Sequence, residues 1–500
     1  MTALIILLIL ILLTVIIIQV SKVNELSSRI RGEEESFYQG NNRTGLWMFI
    51  FMIVFLVACV VSAIYYKNIM LGYGPLQSAS AHGGSIDSLF SVTLFFTGIV
   101  FIVTHILLFW FTYKYRARRG GKADFFPHNT NLEIIWTVIP AIVMTFLVVK
   151  GLVVWNDVMP DVDPNDTDYI EIEATGYQFG WDLRYPGPDG KLGTRDFTQI
   201  NLANNPLGQV WTDVKNQDDF MPTEIVLPKG QKVRVRITAR DVLHNFYLPH
   251  FRVKMDAIPG LPTYFIFTPI KTTEEFREEL KKYPEWQMPA DPDDPEAGSR
   301  AETFEYELAC AELCGKGHYS MRRLVKIVEQ DEYEEWLAQQ QSYYLANVRG
   351  TDADPNKGKL LNVEIVNRNT ELEALFAEAD ESGAEGDIIS LQNVFFETGS
   401  ADLTDDSRYE LSKVAELLNK YSSMTIEVGG HTDSTGEAAA NKSLSEARAI
   451  SVLDYLTTKG KVAGARLTSN GYGPDNPVGD NATEEGRQQN RRTELKIISK

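Results

Sequence analysis

The chain has 500 residues, long enough for two to four domains. Its formal net charge is −19, from 48 Lys and Arg against 67 Asp and Glu. That balance argues against nucleic acid as a partner and suits a cationic partner or plain solubility.

Residues 1–20 are nearly all apolar and long enough to span a bilayer. They lack the basic start and small-residue cleavage site of a secretory signal, so they read as a retained anchor helix. Further runs of spanning length follow at 46–66, 89–113 and 132–155, the last with Pro140 as a kink position. Basic residues set the orientation. Lys22, Arg29, Arg31 and Arg43 lie in loop 21–45, and Lys114, Arg116, Arg118, Arg119 and Lys122 in loop 114–131, whereas loop 67–88 has only Lys67. The first and third loops are therefore expected on the cytoplasmic side, with everything after about residue 156 outside. Cys59, inside the second apolar run, reads as a buried structural cysteine. Glu133 opens the fourth helix. It suits the positive end of the helix dipole, and as an acid at the membrane edge it is a candidate for a proton path.

From about residue 169 the pattern turns to short β-branched and aromatic runs: 169–175, 223–227, 232–238, 264–267, 303–308 and 324–328. Regular short strands with Gly and Pro between them predict a β-sandwich or barrel. Two further features lie inside this region. Gly176-Tyr177-Gln178-Phe179-Gly180-Trp181 is rich in aromatics, which by default are core residues. Residues 271–302 are polar and acidic, with a charged helix expected over 273–283; they read either as a solvated face or as a surface steering a basic partner.

Two of the three cysteines fall in Cys310-Ala-Glu312-Leu-Cys314-Gly-Lys-Gly-His318-Tyr-Ser-Met321. Thiolate, imidazole and thioether together form a soft ligand set that selects copper over magnesium or calcium. His244, in Asp241-Val-Leu-His244, is available as a distant imidazole. The spacing also admits a Cys310–Cys314 disulfide, or a tetrahedral zinc site in which Met321 would have no use.

Cys-x-Glu-x-Cys-x-x-x-His-x-x-Met, preceded by Asp-Val-Leu-His and Asp256-Ala-Ile-Pro-Gly260, resembles the binuclear copper (CuA) domain of cytochrome c oxidase subunit II. The resemblance implies a cupredoxin fold. It implies that Cys310 and Cys314 bridge two coppers, with His244, His318, Met321 and the Glu312 carbonyl completing the shells. It also implies that the Glu312 carboxylate reaches a magnesium shared with subunit I. The Glu133-x-x-Trp-Thr-x-x-Pro140 match implies the mouth of a proton channel into subunit I. In this family a Trp directly after the Gln is the electron entry; here Phe179 holds that place and Trp181 comes two residues later, so both are candidates.

Residues 331–346 read as an exposed helix ending the copper domain, and 347–386 as a polar linker with some order near 360–366. Beyond it, a strand at 388–396, a helix at 405–421, a strand at 425–430, a helix at 443–459 and a strand at 492–498 give a βαβαβ order. Gly430-His-Thr-Asp433-x-x-Gly436, Asn441-x-x-Leu-Ser-x-x-Arg448-Ala and Asn490-Arg-Arg492 resemble an OmpA-type peptidoglycan-binding domain. The resemblance implies that Asp433 and Arg448, with Asn441 in the same motif, grip diaminopimelate. An acid and a base at fixed separation are what a free amino-acid end requires.

The expected organisation is multi-domain. Extra transmembrane helices at 1–20 and 46–66 precede a subunit II-type hairpin at 89–155. A cupredoxin domain at 160–346, a linker at 347–386 and an α/β OmpA-like domain at 387–500 follow. The expected setting is the bacterial inner membrane, with both folded domains in the periplasm. The implied partners are subunit I and other oxidase subunits, a c-type cytochrome donor, peptidoglycan and membrane lipid, with no nucleic acid. No Cys-x-x-Cys-His haem site occurs, so the donor must be another protein. The alternative is an envelope-tethering membrane protein with a structural or storage copper site.

Overall fold

The computed structural model describes residues 2–70, 78–122, 125–163, 166–382, 386–397 and 399–499. Met1, residues 71–77 of the expected 67–88 loop and residues 383–385 of the expected linker lie outside the described residues. The chain divides into two compact units, 1–210 with 219–343 and 211–218 with 344–500, each described by itself below.

The first unit opens with α1 (Thr2–Arg31), α2 (Glu33–Met70), α3 (Gly83–Lys114) and α4 (Thr130–Val158). All four are long and apolar enough to cross a membrane. The loop expected over 21–45 is instead helix on both sides of Gly32, whose φ of +88° makes the single break. Local pairing explains the correction: Arg29 bonds Glu25 and Gln39 bonds Glu35 at one-turn spacing. Glu33, Glu34 and Glu35 also fill the first turn of α2, where the helix dipole favours acids. Cys59 is half-buried rather than buried.

Two sheets then form a sandwich. One holds β1 (Ile170–Tyr177), β2 (Gly180–Arg184), β4 (Val233–Ala239) and β7 (Thr263–Phe267) in the order β2-β1-β4-β7. The other holds β3 (Ile225–Pro228), β5 (His244–Leu248), β6 (Val253–Ala257), β10 (Tyr306–Cys310) and β11 (Arg322–Val328) in the order β3-β11-β10-β5-β6. Strict alternation on β4 turns Val233, Val235 and Ile237 inward. They share one core with Ile172, Trp181, Phe246, Leu308 and Val325. β2, β5 and β6 escaped the sequence reading because they are short and mix polar with apolar residues.

The 271–302 insert is not a solvated face throughout. It forms α5 (Thr273–Leu280) and a hairpin of β8 (Pro289–Asp291) and β9 (Asp294–Ser299). A capping box at Thr272 and Glu275 starts α5, and Phe276 and Leu280 are fully buried beside Phe304 and Tyr306. The helix expected over 331–346 is two, α6 (Gln330–Ala338) and α7 (Tyr343–Asn347), and it buries Tyr333 and Tyr344.

The second unit contains α8 (Asn362–Ser382), β12 (Ile388–Leu391), α9 (Ser407–Lys420), β13 (Thr425–His431), α10 (Ala438–Thr458), β14 (Leu467–Gly473), α11 (Glu484–Asn490) and β15 (Thr493–Ser499). Its sheet order is β12-β15-β13-β14, with β13 and β14 parallel. The tract read as a linker carries α8. Leu372, Phe376 and Ala379 share one face and pack into this unit's core, and Arg368 forms a buried ion pair with Glu410. β14, with its Thr-Ser-Asn-Gly-Tyr-Gly run, adds a strand that the βαβαβ reading lacked.

Candidate functional sites

Strand pairing builds the first site. β10 lies beside β5 with Cys310 opposite Phe246, two residues from His244. After Cys310 the chain loops through 311–321 and returns as β11 alongside β10. His244 and the loop therefore meet at one end of one sheet. Cys310 Sγ lies 3.8 Å from His244 Nδ1 and 3.2 Å from the Glu312 carbonyl oxygen. Cys314 Sγ lies 3.6 Å from His318 Nδ1 and 3.3 Å from Met321 Sδ. The two sulfurs stand 4.0 Å apart as free cysteines, about twice a disulfide bond length. Each sulfur thus has one imidazole and one weaker donor. His244, Cys310, Cys314 and Met321 are buried.

This donor set fits a pair of soft metal ions. Zinc would take the thiolates and imidazoles but leave the Met321 sulfur and the Glu312 carbonyl without a task. Burial, with Cys310 alongside, pushes the Cys314 thiol up to about 11. A bound cation reverses that preference and favours the thiolate.

Residues around the donors hold them. His244 Nε2 donates to Asp241 Oδ1 at 2.8 Å, which leaves Nδ1 bare towards Cys310. Burial alone would raise the Asp241 carboxyl. The His244 bond and the amides of Gln178 and Val242 outweigh it and hold the group below the ordinary carboxylate range. Gln178 Nε2 also donates to the Cys314 carbonyl at 2.6 Å. Asp241 and Gln178 were missed as supports. The signal was available, since both sit within the motifs already singled out.

Of the two entry candidates, Phe179 is at the tip of the β1–β2 hairpin and 39% exposed. Its ring lies so close to Gly317 that a Cβ there would meet ring carbon Cγ at 2.5 Å. Trp181 is 1% exposed and packs edge-on to His244 and Phe246. The Glu312 side chain is exposed while its carbonyl faces Cys310. Glu133 is apart from this cluster, in the first turn of α4, where its carboxylate accepts from the Asn129 amide at 3.3 Å.

In the second unit, Asp433 follows β13. Its Oδ1 accepts from the Thr435 amide at 2.8 Å and its Oδ2 from Arg491 at 2.6 Å. Burial would raise this carboxyl, but the Arg491 bond outweighs it and keeps it ionised. Arg448 is not the ion-pair partner. Its Nε donates to the Ser400 carbonyl at 3.0 Å and its guanidinium lies over the Phe396 ring. Burial and the like charge of Arg491 lower its pKa, while Asp433 nearby opposes the shift. Asn441 braces the loop by donating to the Thr435 carbonyl at 2.9 Å.

The chain matches the model of the cytochrome c oxidase subunit II transmembrane domain over 69–154 and that of the subunit II periplasmic domain over 170–272. The second match ends at the start of the insert, before the cysteine loop. The alternative cytochrome c oxidase subunit 2 of Bradyrhizobium diazoefficiens is 32% identical over 272 residues, covering 54% of this chain and 84% of that one. The chain belongs to the cytochrome c oxidase subunit II family. It is thus a subunit of an oxidoreductase complex, held in the bacterial inner membrane with its folded domains in the periplasm, and its family implies a copper centre. Residues 395–491 match the OmpA family. Outer membrane protein Omp38 of Acinetobacter baumannii is 43% identical over 99 residues, 20% of this chain and 28% of that protein. A crystal structure of the periplasmic domain of subunit II of cytochrome oxidase from Bradyrhizobium japonicum is 26% identical, covering 36% of this chain and 94% of that one, with a TM-score of 0.21.

Proposed function

We propose that this chain is the electron-accepting subunit of a respiratory haem-copper oxidase, tethered to the cell wall by its C-terminal domain. It takes electrons from a c-type cytochrome and delivers them to haem in subunit I, where oxygen reduction is coupled to proton pumping. The observation that carries this reading is the closed set of two sulfurs, two imidazoles, a thioether and a carbonyl at one sheet end. Cys310 and Cys314 would bridge two coppers, and His244, His318, Met321 and the Glu312 carbonyl would complete the shells. When bound, a binuclear copper centre supplies one-electron exchange. The chain's own part is to fix the donors before the metal arrives: Asp241 orients the His244 ring, Gln178 pins the loop, and burial excludes water.

Phe179 is favoured over Trp181 for electron entry, because it reaches solvent while contacting the loop. The exposed Glu312 carboxylate is free to hold a magnesium at the border with subunit I. Glu133 is assigned to the mouth of a proton path, and Glu133→Gln should slow turnover of the assembled oxidase; unchanged turnover removes that assignment. Asp433 and Arg448, with Asn441 bracing the loop, would hold the ammonium and carboxylate of a peptidoglycan stem.

Metal analysis with EPR of the purified protein tests the central claim. Two coppers per chain sharing one unpaired electron are expected. Copper-loaded protein without that signal, or with Cys310 and Cys314 joined, would sink it.

A further inference from the structure

The junction between α3 and the β-sandwich is built more tightly than a tether requires. Residues 78–81 run along the sandwich, with Ser80 bridged antiparallel to Pro269. The Ala79 amide donates to the His250 carbonyl at 2.8 Å, the Ala81 amide to the Thr268 carbonyl at 3.0 Å, and the Ile270 amide to the Ala79 carbonyl at 2.8 Å. Ser80 Oγ donates to the Phe251 carbonyl at 2.6 Å, and Ser80 is buried. The chain then turns straight into α3. Gly83 is required there, because a Cβ would meet Ser78 Cβ at 2.2 Å and Oγ at 1.8 Å.

One turn into α3, Asp87 faces Arg252. Arg252 Nε lies 2.7 Å from Asp87 Oδ1 and NH2 lies 3.1 Å from Oδ2, a two-pronged pair with the arginine side chain 14% exposed. Arg252 NH1 also donates to the Pro249 carbonyl at 2.9 Å, and its φ of +57° closes the 249–251 turn. That turn joins β5 to β6, which pair in register from Leu248 with Val253 to His244 with Ala257. So one end of this hairpin is locked to a membrane helix and the other carries a metal donor. Four strand residues separate them, about 13 Å.

We propose that this junction is a positioning clamp: Arg252 and Asp87 fix the stand-off and tilt of the metal-bearing hairpin above α3, and hence the gap across which electrons leave for the membrane partner. The proposal rests on the electron-transfer reading above. Neither residue touches the donors; both act through β5. Rigid backbone bonding at 78–81 and a half-buried bidentate pair restrict the hinge more than either does alone.

The test uses the full chain in the assembled oxidase, as wild type, Arg252→Gln, Asp87→Asn and the charge-swapped Asp87→Arg, Arg252→Asp double variant. Hydrogen exchange at the Ala79, Ala81 and Ile270 amides should rise at least ten-fold in each single variant. Flash-initiated transfer from copper to haem should slow at least three-fold, while reduction by the cytochrome and the copper EPR signal stay at wild-type values. The swap should recover most of both losses. Loss of mere stability would instead lower copper content and slow both transfer steps alike, and that result overturns positioning. Wild-type exchange in the single variants, or a swap no better than they are, overturns the clamp. The exchange readout needs no copper, so failure of the copper assignment is told apart from failure of the clamp.

Discussion

The loop at 310–321 and the loop at 349–364 both fold back on a cluster of polar side chains, yet they are closed differently. The first gathers two thiols, two imidazoles and a thioether, with no positive group of its own among them. The second gathers oxygen donors around its own arginine. Arg349 donates to the Asp354 carboxylate at 3.0 Å, to both Glu364 oxygens at 2.7 and 3.0 Å, and to the carbonyls of Asn356 and Lys359. A guanidinium offers five fixed donors and never loses its charge, so the second loop is complete as folded. Soft donors gain little from one another, so on the proposed reading a bound metal completes what Asp241 and Gln178 only position. Asp433 follows the second pattern, since Arg491 already holds it.

The largest contrast should come from metal removal. Stripping copper from the reduced protein with a strong chelator should raise hydrogen exchange across 310–321 by about 100-fold or more, because the binding energy of a structural metal is also ordering energy. Exchange across 349–364 should not change. Equal loosening of both loops would break the distinction between a loop closed by metal and one closed by arginine.

A smaller effect is expected at the wall-binding loop, where the internal partner must be shared with a ligand. The Asp433→Ala, Arg448→Ala double variant removes about two charge-assisted bonds, each worth about 1.5–3 kcal/mol. Because Arg491 already holds Asp433, about half of that sum should show, and peptidoglycan pull-down should fall by roughly 10- to 100-fold. Retention at the wild-type level would show that neither residue grips the stem peptide.

How far the sequence reached follows the same division. Cys310, Cys314, His318, Met321 and His244 were legible because each donor type is rare and its spacing is fixed by chemistry. The sandwich was legible from β-branched runs such as 232–238, while β5 was not, since His244-Asn-Phe-Tyr-Leu248 has no alternation to read. The tract at 347–386 read as a polar linker because composition records polarity but not whether polar groups meet one another. Arg349, Asp354 and Glu364 satisfy each other, and α8 hides its apolar face against α9 and a core whose elements lie later in the chain. The same gap hid Arg491: the sequence marks Asp433 as important without saying which of the nearby arginines it has already taken. Phe179 and Trp181 differ for a geometric reason. The hairpin turns at 178–179, so one ring sits at its tip and the other two residues on, inside the sheet.

The gentlest perturbation acts on the arginine-closed loop alone. Arg349→Met keeps the length of the side chain and removes its charge, leaving Asp354 and Glu364 to face each other. The cost should be about 2 kcal/mol, seen as earlier proteolysis and faster exchange across 349–364. Acid sharpens the test. Burial alone would raise the Asp354 carboxyl, but the Tyr344 hydroxyl, the amides of Gly350 and Asn356, and Arg349 hold it far below the ordinary range. A carboxyl depressed in the folded state contributes stability that is complete above the unfolded value of about 4 and is lost as pH falls below it. The wild-type loop should therefore keep most of its protection near pH 4 and yield only in stronger acid. Without the guanidinium, the Asp354 carboxyl rises towards its ordinary value, so less of this stabilisation exists to be lost. Protection across 349–364 should then be weaker at neutral pH and change less between pH 5 and pH 2 than in the wild type. An identical acid profile in both proteins would mean that the backbone amides, not the arginine, close the loop.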